Sequence, residues 1–302
     1  MSAAAAIGTC FGFAVRSPLS LHYLRRGADG DPLDVVVAPH RATRGERLVR
    51  EWTLDGPEPF HARLSEDDGR YHFWMEESGS FRVDPGKRSI SVPHNGNAVK
   101  REERLWGIPA LLCFRARGDL PLHAAAVETD GGAVLLAAPR TFGKTTLAAG
   151  FVRAGYRLLS EDLSCIRLGP APAVVPGPAM LRLRPDIAPL LDLPAEWQLE
   201  AGDERVHVAL PDDRRGDCRP VPVRGIAFLR GGVDGFSSRR VDTAEAVRDL
   251  YALSFRLPQK DDLARCFAGV AELAASTPVW EVGFPHGLAA LDDTVERIAA
   301  GV

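Results

Sequence analysis

A chain of 302 residues, 45% hydrophobic and 25% charged, has an ordinary globular composition and enough length for two domains. Its net charge of −3 gives no overall pull towards nucleic acid or an anionic membrane, and no apolar run reaches the roughly 20 residues of a membrane span. Five scattered cysteines, Cys10, Cys113, Cys165, Cys218 and Cys266, are odd in number and never in C-x-x-C spacing, which suits a reducing cytoplasm and argues against a disulfide framework or a zinc site. The apolar start lacks a basic flank, so it reads as the run-in to a first strand at 11–16 rather than a secretory signal.

Residues 1–104 read as a smaller β-rich domain. Candidate strands at 34–38, 71–75, 80–83 and 89–92 are separated by polar turns such as Asp67-Asp68-Gly69 and Asp84-Pro85-Gly86. The stretch 105–114 reads as a linking helix with Pro109 in its first turn, opening a second domain over 105–302. There, 132–137 is a short apolar run expected of a buried strand, and 145–154 is helix-compatible with a stop at Gly155. Beyond a Pro-rich stretch at 169–178, residues 225–229 and 279–282 look like strands, and 244–255, 261–276 and 288–300 like helices.

Between the strand at 132–137 and the helix lies Ala138-Pro139-Arg140-Thr141-Phe142-Gly143-Lys144-Thr145-Thr146. Strand, tight loop, Gly-Lys-Thr and helix form the context of a phosphate-binding loop. Backbone N–H groups and a helix N-terminus make a positive cradle, the lysine reaches the β/γ-phosphates, and the Thr145 hydroxyl helps hold Mg²⁺. The usual pattern is G-x-x-x-x-G-K-[ST], and Ala138 replaces its first glycine. A loop that needed φ > 0 there would be strained.

After the helix, 155–162 reads as a short strand ending in Glu161 and Asp162. Ten helical residues rise about 15 Å, and five strand residues return about 17 Å. A right-handed crossover then sets this strand parallel to the first and brings the two acids to Lys144 and Thr145. Carboxylates beside a triphosphate serve as Mg²⁺ ligands or as the base for an attacking hydroxyl. A solvated acidic turn is the competing reading. Asp162, with Thr145, is expected on the metal, and Glu161 in the chemical step. Arg182 and Arg184 alternate along a strand, where a solvated face outweighs a part in phosphate or peptide binding. Arg214, Arg215, Arg219 and Arg224 read as a basic surface loop.

The order Leu122-His123-Ala124-Ala125-Ala126-Val127, strand, phosphate loop, helix, then Gly155-Tyr156-Arg157-Leu158-Leu159-Ser160-Glu161-Asp162 resembles the catalytic domain of HPr kinase/phosphorylase. It is more closely similar to the HPr-kinase-related kinases of bacterial peptide-modification clusters, including those of lasso peptides. The resemblance is specific over about 120–168 and looser to 302. It implies an α/β P-loop domain like the C-terminal domain of HPr kinase, preceded by the β-rich domain. It also implies an ATP- and Mg²⁺-dependent serine kinase, with His123 joining Glu161 and Asp162 as catalytic residues. Glu161 stands where that family has Asp, and the family's long glycine-containing signature is not evident, so the reverse phosphorylase reaction is not implied.

The expected acceptor is a hydroxyl on a peptide or small protein, with no nucleic-acid or membrane partner. Self-association into a homo-oligomer stays open. A kinase of free serine-like metabolites would carry the same loop and acids, and a non-catalytic nucleotide-binding regulator or peptide carrier is the rival from another class. No Asn-Lys-x-Asp guanine signature and no H-R-D or D-F-G element is present.

Overall fold

The computed structural model describes residues 5–38, 46–54, 60–94, 96–139, 142–201, 204–285 and 287–302. Chain contacts divide it into two compact units, Met1–Asp119 and Leu120–Val302. Among the described residues no helix is long and apolar enough to cross a membrane. All five cysteines are free thiols.

The first unit holds a sheet of eight strands: β1 (Gly8–Cys10), β2 (Phe13–Arg16), β3 (Asp31–Val37), β4 (Arg47–Leu54), β5 (Phe60–Asp67), β6 (Arg70–Met75), β7 (Gly79–Asp84) and β8 (Ser89–Val92). Their spatial order is β1-β2-β3-β8-β7-β6-β5-β4. The alternation that marks β6, β7 and β8 in sequence becomes alternate burial, with Phe73, Met75, Phe81, Val83, Ile90 and Val92 inward. The single strand expected at 11–16 is instead a hairpin, β1 and β2, turning at Phe11 and Gly12. The single helix expected at 105–114 is two: α1 (Ala98–Leu105) and α2 (Ile108–Ala116). The break has a physical cause. Gly107 adopts a non-helical ψ of −125°, and Pro109, which has no N–H to give, occupies the first turn of α2. Both helices belong to the first unit.

The second unit is α/β and layered about a mixed sheet. Its strands begin with β9 (Leu120–Leu122), β10 (Ala124–Thr129) and β11 (Gly132–Ala137); α3 (Lys144–Arg153) follows, then β12 (Arg157–Ser160), β13 (Ser164–Arg167) and β14 (Ala173–Val175). Next come β15 (Met180–Leu183), β16 (Gln198–Ala201), β17 (Val206–Ala209), the short α4 (Asp212–Arg215), β18 (Val221–Gly231) and β19 (Ser237–Arg240). The chain closes with α5 (Thr243–Leu253), α6 (Lys260–Ser276), β20 (Val279–Phe284) and α7 (Leu291–Gly301). β11 pairs in parallel with β18, and β18 in parallel with β20. β12 runs in the same direction as β11, as the crossover argument requires, but β10 lies between them, antiparallel to both.

The two faces of this sheet bury different layers. Ala125, Val127, Val134, Leu136, Ala227 and Leu229 face one core, shared with α3 and α7. Their chain neighbours Ala124, Ala126, Ala133, Leu135, Ile226 and Phe228 face another, shared with α5 and α6. Gly150 lets α7 approach α3, because a Cβ there would lie 2.9 Å from the Leu291 methyl carbon. The stop at Gly155 is a Schellman cap. Its N–H donates to Val152 O (3.1 Å) and that of Tyr156 to Phe151 O (3.0 Å), with the Phe151 and Tyr156 rings in contact. A small antiparallel sheet, in the order β15-β17-β16, follows the Pro-rich stretch. Of the expected basic loop, Arg224 instead lies within β18 and caps α7, donating to Ala299 O (2.9 Å) and Ala300 O (3.3 Å).

Candidate functional site

The site forms where two chain irregularities face each other. β9 pairs with β13 and β10 with β12, so His123, between β9 and β10, lies opposite the turn 161–163 between β12 and β13. Ser160 and Ser164 flank that turn and pin it. Their hydroxyls are 2.6 Å apart, and Ser164 donates to the carbonyl of Ala124, next to His123 (2.9 Å). From the other side, the His123 N–H donates to Leu253 O at 2.8 Å. This frame holds the main chain of His123 opposite the turn that carries the acids.

The loop after β11 delivers the lysine. Ala138 is fully buried and is not among the residues with positive φ, so the alanine in place of the first glycine carries no left-handed strain. Pro139 is exposed, and Phe142 packs against the core on the α3 side of the sheet. Arg140 and Thr141 lie outside the described residues. Gly143 sits at φ 77°, ψ 9°, the left-handed conformation that glycine adopts without steric cost, and it turns the chain into α3. Lys144 is the first residue of the helix and is buried, followed by Thr145 and Thr146 on half-buried positions.

Lys144, Thr145, His123, Glu161 and Asp162 are brought together. Lys144 Nζ lies 2.6 Å from His123 Nε2 and 3.6 Å from Asp162 Oδ1. His123 Nδ1 is 3.2 Å from the same Asp162 oxygen. The Thr145 hydroxyl donates to Glu161 Oε1 at 2.5 Å. As an ammonium, Lys144 has only hydrogens to give, so Nε2 of His123 accepts and Nδ1 carries the hydrogen that points at Asp162.

Arg182 completes the cluster, contrary to its expected place on a solvated strand face. Its Nε donates to Glu161 Oε2 at 2.8 Å, and Nη2 lies 3.1 Å from Asp162 Oδ2. Arg184, just past β15, pairs with its near neighbour Asp186 instead (2.6 Å). A signal for Arg182 was present in the sequence. A cation between the apolar residues Leu181 and Leu183 in a strand bound for the core needs a carboxylate partner.

Burial and charge pull the titrating groups apart. Desolvation lowers the Lys144 ammonium, while Asp162 and Glu161 hold it up. Burial also lowers His123 below its ordinary value, against the pull of Asp162, and so favours the neutral ring. The Glu161 side chain is 3% exposed, and burial raises its carboxyl against the pull of Arg182. Asp162 is 41% exposed. Partial desolvation would raise it, but Arg182 first, then His123 and Lys144, hold it well below the usual carboxylate range.

Glu161, Asp162 and the Thr145 hydroxyl are hard oxygen donors, the class that Mg²⁺ accepts. Among the described residues no group of three or more His, Cys, Asp and Glu gathers as a metal cage. Two carboxylates and a hydroxyl fit an ion that takes its remaining ligands from water and substrate phosphates.

No family model matches the chain, and no curated protein matches its sequence. Among solved structures, the HPr(Ser) kinase/phosphatase from Coxiella burnetii is similar over 59% of this chain and 94% of its own, with a TM-score of 0.33 and 15% sequence identity.

Proposed function

We propose that the second unit is an ATP- and Mg²⁺-dependent kinase that transfers the γ-phosphoryl group to a serine-type hydroxyl on a peptide or small protein. One observation carries this reading. A helix that opens on Lys144 and Thr145, after a left-handed glycine and a buried strand, meets two adjacent carboxylates: Lys144 lies beside His123 and Asp162, and the Thr145 hydroxyl donates to Glu161. Phosphoryl transfer asks for little covalent chemistry from a protein, and mostly for positioning and charge stabilisation.

In this reading residues 138–146 form the phosphate loop, whose N–H groups and Lys144 bind the β/γ-phosphates. ATP supplies the phosphoryl group, and Mg²⁺ supplies charge neutralisation where Thr145 and Glu161 present oxygens. The division of labour between the acids is then the reverse of the one expected from sequence. Glu161 is tied to the Thr145 hydroxyl and closed off from solvent, so it belongs to the metal side. Asp162 is open to solvent, strongly acidic and oriented by His123, so it faces the acceptor and orients or accepts the hydroxyl proton.

The test is γ-labelled ATP with Mg²⁺, offered to precursor peptides encoded beside this gene and separately to free serine. Transfer to a peptide, with Asp162→Asn costing about 10²–10⁴-fold in kcat and sparing nucleotide affinity, supports the reading. Transfer to free serine alone selects the metabolite kinase. Nucleotide binding without transfer to any hydroxyl leaves a regulator or carrier.

A further inference from the structure

We infer that Arg182 is a built-in counter-ion that competes with the divalent cation for Glu161 and ties it to Asp162. The inference rests on the reading of Glu161 as the metal-side carboxylate, and it concerns a residue that the phosphate-loop motif does not include. One guanidinium reaches both carboxylates: Nε to Glu161 Oε2 at 2.8 Å and Nη2 to Asp162 Oδ2 at 3.1 Å. These are the two oxygens left over by Thr145, which takes Glu161 Oε1, and by His123 and Lys144, which share Asp162 Oδ1.

With His123 neutral, the charges of Lys144, Arg182, Glu161 and Asp162 cancel. A bare divalent ion therefore enters a site already compensated, and must displace Arg182 from Glu161. A cation that arrives with a polyphosphate brings anionic oxygens for Arg182 and Lys144 to take up instead, so the exchange of partners conserves the hydrogen bonds. Metal alone is then held weakly, and metal with nucleotide strongly. Arg182 can act this way because β15 is anchored on both sides of it. Leu181 and Leu183 are buried, and Arg182 pairs in register with His207 of β17. Only the side chain has to move.

The probe is Mn²⁺ without nucleotide, followed by electron paramagnetic resonance of the free ion. Arg182→Met removes the charge at similar bulk, and Arg182→Lys keeps it. One unit charge removed a few ångströms from the metal in a partly exposed site is worth about tenfold in affinity. Arg182→Met should therefore bind Mn²⁺ about tenfold more tightly than wild type, while Arg182→Lys stays within about threefold. A folded Arg182→Met protein that binds Mn²⁺ no more tightly overturns the inference.

Wild-type protein gives a second readout should the Met variant not fold. The Arg182 Nε–H resonance, assigned by its loss in Arg182→Lys, should shift as Mg²⁺ saturates the site, and a signal unmoved at saturation overturns the inference. Kinase activity is scored separately. Tightened Mn²⁺ binding in a protein with no phosphoryl transfer keeps the counter-ion and sinks the kinase reading. A working kinase with unchanged Mn²⁺ binding does the reverse.

Discussion

Both units bury charge, and they do so in opposite ways. In the first, Glu102 is 2% exposed and its oxygens are taken by the backbone N–H groups of His22 (2.7 Å) and Tyr23 (2.9 Å), the indole of Trp106 (3.2 Å) and Nδ1 of His22 (3.1 Å). One anion ties a loop to a helix through donors that are mostly fixed parts of the scaffold. In the second unit, Asp162 is two-fifths exposed and is contacted by three long or titratable side chains, Lys144, His123 and Arg182, each of which has a second partner. The first arrangement has one way to be satisfied. The second has several: Lys144 and Arg182 can turn to a phosphate, and an acceptor hydroxyl can donate to Asp162 in their place. A buried carboxylate is therefore weak grounds for function, whereas interchangeable partners around an accessible one are stronger grounds.

The largest expected effect separates the two kinds of cluster most directly. Lys144→Met should cut phosphoryl transfer by about 10³-fold, the range seen when one preorganised donor to developing charge is lost. It should leave the melting temperature equal or higher, because the buried ammonium carries a desolvation penalty in the free protein. Steady-state kinetics with thermal melting checks both halves. A variant that melts much earlier would mean that Lys144 is a structural ion like Glu102, and the contrast would collapse.

Glu102→Ala tests the other side. It strands the buried N–H groups of Tyr23 and Trp106 and the half-buried N–H of His22, so it should cost about 3 kcal/mol or more in chemical denaturation, at about 1–3 kcal/mol for each unsatisfied buried group. Glu102→Gln, which keeps one accepting oxygen, should lose less. Near-wild-type stability in Glu102→Ala would show that the loop at His22 and Tyr23 finds other acceptors.

The same contrast governs what could be read from sequence. The strand, loop and helix around Lys144 were legible because each has a local signal: an apolar run, Gly-Lys-Thr, and a glycine stop at Gly155. The last three helices and the strands near 225–229 and 279–282 were legible from hydrophobic periodicity. β4 was not. Leu48 and Val49 break the alternation, and the pairing of β4 with β5 shifts register between Leu48 and Arg50, so the period-two pattern is interrupted where it should be clearest. α1 is not legible in sequence because Lys100, Arg101, Glu102, Glu103 and Arg104 hide an amphipathic helix inside a charge run. The pairing that matters most at the site, Arg182 with Glu161 and Asp162, spans about twenty residues and joins the end of β12 to β15 of a different sheet, and no spacing rule links them.

The smallest effect is a change in pH dependence at His123. Its folded value is depressed, by burial first and by Lys144 and Arg182 after that, with Asp162 opposing. Below the unfolded value of about 6.5 the unfolded chain binds a proton there that the folded protein resists, so folding stability falls with pH. The contribution of His123 is complete above that value and is lost as the pH drops through the lower folded one. Protonation also removes the lone pair by which Nε2 accepts from Lys144. His123→Asn deletes this titration while leaving the backbone bond to Leu253 in place. Denaturation curves at pH 7.5 and 5.5 should therefore show a shallower acid loss in His123→Asn than in wild type, by under about 1 kcal/mol. Identical slopes in the two proteins would mean that His123 is not held neutral. The proton would then sit on both nitrogens, and the assignment of Asp162 as the oriented, acceptor-facing carboxylate would lose its physical basis.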